Sequence, residues 1–134
     1  METSEQHIDP SDAQVQTLIA AAQEIVEPVV MVNLLAFNDE GGRESYLRYV
    51  AEVQPHLDRV GATVLYAGNP EQTVIGGSGD AWWDALLLVR YPSRAKFVEM
   101  ALDPAYTDVA RHRTSALRTS ALIAHDEWAG ELWQ

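Results

Sequence analysis

At 134 residues the chain suits one domain, long enough to bury a core without covalent staples. It has no cysteine, which excludes disulfides and thiolate metal sites. A net charge of −11 disfavours phosphate backbones and anionic membranes as partners, and no apolar run approaches the ~20 residues of a membrane span.

The first residues, Met1 to Asp12, are polar and acidic, the opposite of a signal peptide's basic start, so a cytoplasmic protein is expected. Ser11 or Asp12 can cap a helix running to about Gln23, with Val15, Leu18, Ile19 and Ala22 on one stripe. Pro28 then starts a strand, Val29 to Phe37. Arg43 to Val60 reads as a helix, because Tyr46, Tyr49, Val50, Val53, Leu57 and Val60 recur at helical spacing. Gly61 offers it a left-handed stop, and Pro55 is expected to kink or split it. A second strand is predicted over Ala62 to Gly68 and a short returning one over Thr73 to Ile75, before a loose glycine loop, Gly76 to Asp80. Asp84 to Tyr91 is the third long strand. Ser93 can cap the next helix, and Asp103-Pro104 restarts a helix to about Arg118. Ser120 to His125 is the last strand, followed by an acidic tail carrying Trp128 and Trp133. This divides the chain into an N-terminal helical extension (1–27), a folded domain (28–126) and a C-terminal tail (127–134).

After the first helix the order is strand, helix, strand, strand, helix, strand. A loop without helix joins the second and third major strands, which favours antiparallel pairing. The expected fold is therefore α+β and ferredoxin-like, a βαββαβ unit with an antiparallel sheet and an extra N-terminal helix.

Both faces of the central strands are apolar. In the first strand Val29, Met31, Leu35 and Phe37 share one face, interrupted by Asn33, and Val30, Val32, Leu34 and Ala36 share the other. An antiparallel sheet with one wet face should alternate apolar and polar. Crossovers of one hand place the two long helices on one side, and the N-terminal helix spans too few turns to cover more than an edge or corner. Covering the bare face is worth about ten kcal/mol before association costs, and a second copy is the simplest cover. A homodimer is expected.

Val29-Val30-Met31-Val32-Asn33-Leu34-Leu35-Ala36-Phe37, Tyr46, Trp83-Asp84, Val89-Arg90-Tyr91-Pro92-Ser93-Arg94, Phe97, Met100, Asp103-Pro104 and Tyr106 together resemble the bacterial domain-of-unknown-function family 1330. The resemblance runs roughly from Pro28 to His125. It implies the dimeric α/β-barrel superfamily, in which two ferredoxin-like sheets pack into a barrel with helices outside. Relatives there include cofactor-free monooxygenases, lactone isomerases, dehydratases, haem-degrading enzymes and plain binders, so the resemblance carries no catalytic residue over.

Asn33 interrupts an apolar face, where an amide must find partners; it either orients a substrate carbonyl or water, or bonds to a loop backbone. Arg90, on the Leu86-Leu88 face, and Arg113, on the stripe of Tyr106, Val109, Ala110 and Leu117, could receive a substrate carboxylate. The alternative for both is an internal salt bridge with Asp84 or Asp103. Arg94 reads as a surface residue or rim contact. Tyr46 could donate to a ligand or simply pack. Of Trp82 and Trp83, one is expected to pack and the other, with Trp83 the candidate, to line a pocket mouth or dimer seam. The four histidines show no ligand spacing, so no metal is expected. His112 is the candidate general base or axial haem ligand, though its place beside the Arg113 stripe points to exposure. The basic cluster Arg111, His112, Arg113 and Arg118 complements a helix dipole.

The leading expectation is a homodimer with a pocket between sheet and helices for a small, largely apolar molecule, acting as a cofactor-independent monooxygenase- or isomerase-like enzyme. Asn33, Tyr46, Arg90, Arg113 and Trp83 would bind substrate, with His112 as base. The alternatives are a non-catalytic binding or protein-interaction module, and a haem-binding protein.

Overall fold

The computed structural model describes residues 7–77 and 83–128. Four helices and four strands follow in the order α1 (Asp12–Glu24), β1 (Val29–Phe37), α2 (Gly42–Val60), β2 (Thr63–Gly68), β3 (Ala85–Tyr91), α3 (Arg94–Ala101), α4 (Pro104–Ala116) and β4 (Leu117–His125). The strands form one antiparallel sheet in the order β2-β3-β1-β4. This is the ferredoxin-like arrangement expected from the order of elements.

Local chemistry sets the boundaries. Ser11 caps α1 with a reciprocal capping box, its hydroxyl accepting from the Gln14 amide while the Gln14 side chain accepts from the Ser11 amide. Ser93 accepts from Lys96 N at the start of α3, and Asp103 accepts from Ala105 N just before Pro104 in α4. Gly61 ends α2 in the left-handed region, φ 79°. The start of α2 is tight: a Cβ on Gly42 would lie 2.7 Å from Ala116 O and 3.0 Å from Phe37 Cβ. Only glycine lets α2 approach the α4–β4 junction so closely.

Three details depart from the sequence reading. Pro55 does not split α2, because the carbonyl that proline leaves unbonded, that of Ala51, lies on the exposed side of the helix with Pro55 itself. Thr73 to Ile75 forms no strand; it leaves the open edge of β2 unpaired, and Ile75 is 93% exposed. α4 stops at Ala116 rather than near Arg118, since Asn38 captures the last carbonyls: its backbone N donates to Ala116 O and its Nδ2 to Ser115 O, both at 2.8 Å. Leu117 is thereby free to enter β4 and the core opposite Phe37.

The core lies between one sheet face and the helices. Val29, Met31 and Leu35 of β1 and Ala85, Val89 and Tyr91 of β3 pack against Tyr46, Tyr49, Val53, Leu57 and Val60 of α2, Met100 of α3 and Val109 of α4. α1 packs against α3 on the same side, flanking Ala124 of β4. The other face carries Val32, Leu34, Leu86 and Leu88, paired across the ladder, with Tyr66 and Ile123 beside them. None of the described helices lies on it. Among the described residues no helix is long and apolar enough to cross a membrane.

Candidate functional site

A cleft of about 70 Å³ opens between the helix-side face of the sheet and α2. Its sheet wall is Asn33, Val64, Leu87, Val89 and Tyr91; its helix wall includes Tyr46, Tyr49, Val53 and Leu57. Period-2 alternation on β1 and β3 brings Asn33 opposite Leu87, and the helical stripe of α2 delivers the two tyrosines. Asn33 is half-buried, and among the described residues its side chain makes no hydrogen bond. Of the two readings of Asn33, the bond to a loop backbone is not made among the described residues.

The walls are aromatic. Rings run Phe37, Tyr46, Tyr49, Tyr106, with centroid spacings of 5.5, 5.4 and 6.5 Å. The hydroxyls of Tyr49 and Tyr106 share a hydrogen bond of 2.9 Å. Burial pushes the Tyr46 hydroxyl up to about 12, with the positive charge of Arg113 pulling the other way. Burial also raises Tyr49 and Tyr91 well above the ordinary tyrosine value, against the same opposing charge. At neutral pH these groups are therefore uncharged hydroxyls, able to donate a hydrogen bond but not to act as bases. Arg113 contributes positive potential from α4. Its Nη1 donates to Ile8 O at 2.9 Å, and among the described residues it meets no carboxylate.

The remaining candidates lie apart from this cleft. Arg90 points to the opposite face of the sheet and pairs with Glu127 at 3.3 Å. Asp84 and Asp103, the alternative partners for the arginines, are engaged otherwise: Asp84 accepts from Phe37 N and Asp103 pairs with Arg59. Trp83 is half-buried ahead of β3 and does not line the cleft; Trp82 and Trp133 lie outside the described residues. His112 is less exposed than expected, its side chain 15% accessible, because it sits in the α2–α4 seam 3.4 Å from Glu52. It lines no part of the cleft. Among the described residues no three histidines or carboxylates gather where a metal could bind.

The family of the chain follows from comparison. Residues 32–126 match the model of a domain of unknown function, DUF1330. The chain belongs to this family. A solved relative is a protein of unknown function from Rhodopseudomonas palustris, 31% identical, with a TM-score of 0.82, covering 93% of this chain and 99% of its own. More distant likenesses show the fold alone. A dabb family protein with a ferredoxin-like fold from Mesorhizobium loti is 10% identical, with a TM-score of 0.55 over 76% of this chain and 98% of its own. The hydroxynitrile lyase from Passiflora edulis is 11% identical, with a TM-score of 0.58 over 75% of this chain and 93% of its own. Among curated proteins none matches in sequence.

For this DUF1330 protein the structure adds residues that sequence reasoning did not select. Tyr49 and Tyr91 join Tyr46 in the cleft, and Tyr106 joins them by its hydroxyl. All were visible as members of apolar stripes, but convergence of four tyrosines needed the packing of α2, α4 and β3. Arg94 is the clearest correction. Expected at the surface, it is only 8% exposed, since α1 and the end of β4 close over the first turn of α3.

Proposed function

We propose that this protein binds a small, mostly apolar molecule bearing a carbonyl oxygen in the cleft beside Asn33, and does so as a homodimer. The observation that carries the reading is the unpartnered Asn33 amide on an otherwise apolar and tyrosine-lined floor. Asn33 Nδ2 and the neutral tyrosine hydroxyls offer donors, and the charge of Arg113 favours an electron-rich oxygen among them. At about 70 Å³ the cleft is smaller than the roughly 300–1,000 Å³ of common ligand pockets, so it receives the carbonyl end of a molecule whose remainder lies outside.

The lining residues supply binding and polarisation of a carbonyl, but no base. None of them is a histidine or a carboxylate. The binding role anticipated as an alternative to an enzyme is thus the better supported by the chain's own residues. The dimer reading rests on the sheet: the four described helices lie on one side, leaving Val32, Leu34, Leu86 and Leu88 only half-buried and Tyr66 55% exposed on the other. A second copy of that face is its natural cover.

Saturation-transfer NMR with a set of small cyclic ketones and their hydrocarbon analogues tests the binding claim. Ketones should show transfer that is lost in Asn33→Leu, while hydrocarbons should show little in either protein. Equal signals from ketone and hydrocarbon, or ketone binding untouched by the substitution, would overturn it.

A further inference from the structure

We propose that the hollow between α1, α3 and β4 is a second ligand site, which takes a small carboxylate with a short apolar tail through Arg94. The hollow measures about 380 Å³ and is lined by Gln14, Thr17, Leu18 and Ala21 of α1, Ala124 of β4, and Arg94. It shares no lining residue with the cleft at Asn33.

Arg94 is the unusual group. Its side chain is 9% accessible, and Nη1 is sealed from solvent with no hydrogen-bond partner. A buried guanidinium ordinarily has its donors satisfied, because an unmet donor on a charged group keeps the full cost of its lost hydration. The carboxylate that Arg94 does meet is a poor match. Asp126 Oδ1 lies 3.4 Å from Nη2, whereas charge-assisted bonds run about 2.7–2.9 Å, and the Asp126 side chain is 73% exposed. The fork is half-used, by a partner that belongs mostly to water.

The surroundings define what would complete it. One guanidinium balances one negative charge, so a carboxylate fits better than a phosphate carrying nearly two. Arg94 opens α3, so the positive end of that helix adds to the attraction. The remaining walls are mostly short and apolar, Ala21, Ala124 and Leu18 among them, leaving room for a tail of a few carbons. Because Nη1 is sealed, a ligand in the hollow reaches it when α1 shifts away from Arg94. That helix has no fully buried residue and sets only Leu18 against the core, so its displacement breaks little packing.

Titration calorimetry of the full chain with octanoate and with octanol, as charged and uncharged probes, tests the site. Octanoate should bind at least about tenfold more tightly than octanol, the factor that one charge-assisted hydrogen bond supplies. Arg94→Gln should reduce octanoate to the level of octanol. Asp126→Asn, by removing the rival negative charge, should tighten octanoate severalfold, a result that a purely structural Arg94–Asp126 pair would not produce. Ala21→Trp should fill the hollow and block octanoate while leaving ketone binding at Asn33 intact. Octanoate no better than octanol, weaker binding in Asp126→Asn, or undiminished binding in Ala21→Trp would overturn the proposal. Should Arg94→Gln not fold, the last two variants decide.

Discussion

Replacing Asn33 by leucine separates a ligand-binding amide from a structural one. In the structure Asn33 faces Leu87 across one ladder and Leu122 across the other, on a half-buried floor with free space beside it. The Asn33 amide is open to the cleft rather than sealed, so it loses only part of its hydration and costs less than the about 1–3 kcal/mol of a fully buried unmet group. Leucine removes that cost and adds apolar contact with both neighbours, and the cleft accommodates its shape without overpacking. The expected gain is about 1–2 kcal/mol, or roughly 4–8 °C in Tm for a domain of this size. Urea denaturation followed by circular dichroism measures it, with ketone binding measured on the same samples. A variant that is more stable but no longer binds matches the reasoning. A loss of about 1 kcal/mol or more would show that the amide has a structural task, and the site assignment would fall.

Other substitutions probe the tyrosines, the packing and the exposed face. The unfolded chain ionises Tyr46 near 10.0 while the folded one holds its proton to about 12, so the stability it contributes is complete below pH 10 and is lost between pH 10 and 12. From pH 9 to 11 the wild type should lose about 1.4 kcal/mol more than Tyr46→Phe, and parallel losses in denaturant titrations would refute the burial of that hydroxyl. Gly42→Ala sets a Cβ 2.7 Å from the Ala116 carbonyl and should cost about 1–3 kcal/mol; wild-type stability would mean that α2 does not abut the α4–β4 junction. Leu88→Arg, in the middle of the helix-free face, should convert a dimer to a monomer in sedimentation equilibrium, whereas an unchanged mass would remove the sheet face from the interface.

Much of this architecture is written locally. The β1 boundaries, the caps at Ser93 and Asp103 and the stop at Gly61 follow from side-chain chemistry within a few residues, and all stand in the structure. Asn33 and Tyr46 were legible because each breaks or opens a regular apolar pattern. What local pattern could not convey is register and closure. Alternation places Arg90 with Leu86 and Leu88, but only the pairing of Asn33 with Leu87 reveals that Arg90 faces away from the cleft. Arg94 follows Pro92-Ser93 at the start of a helix, a surface-like context that tertiary packing by α1 and β4 overrides. His112 likewise gains cover from Glu52, sixty residues away in sequence. Thr73 to Ile75 has strand-forming residues but packs its Val74 and Ile75 on nothing, so composition alone misled there.

A crystal structure of the wild-type protein grown with one of the binding ketones tests the central claim most directly. The carbonyl oxygen is predicted within about 3 Å of Asn33 Nδ2 or of a tyrosine hydroxyl in the cleft, with the ring against Leu87 and Val53. A ketone found only on the open sheet face or in the hollow at Arg94, with the cleft beside Asn33 empty, would contradict the account.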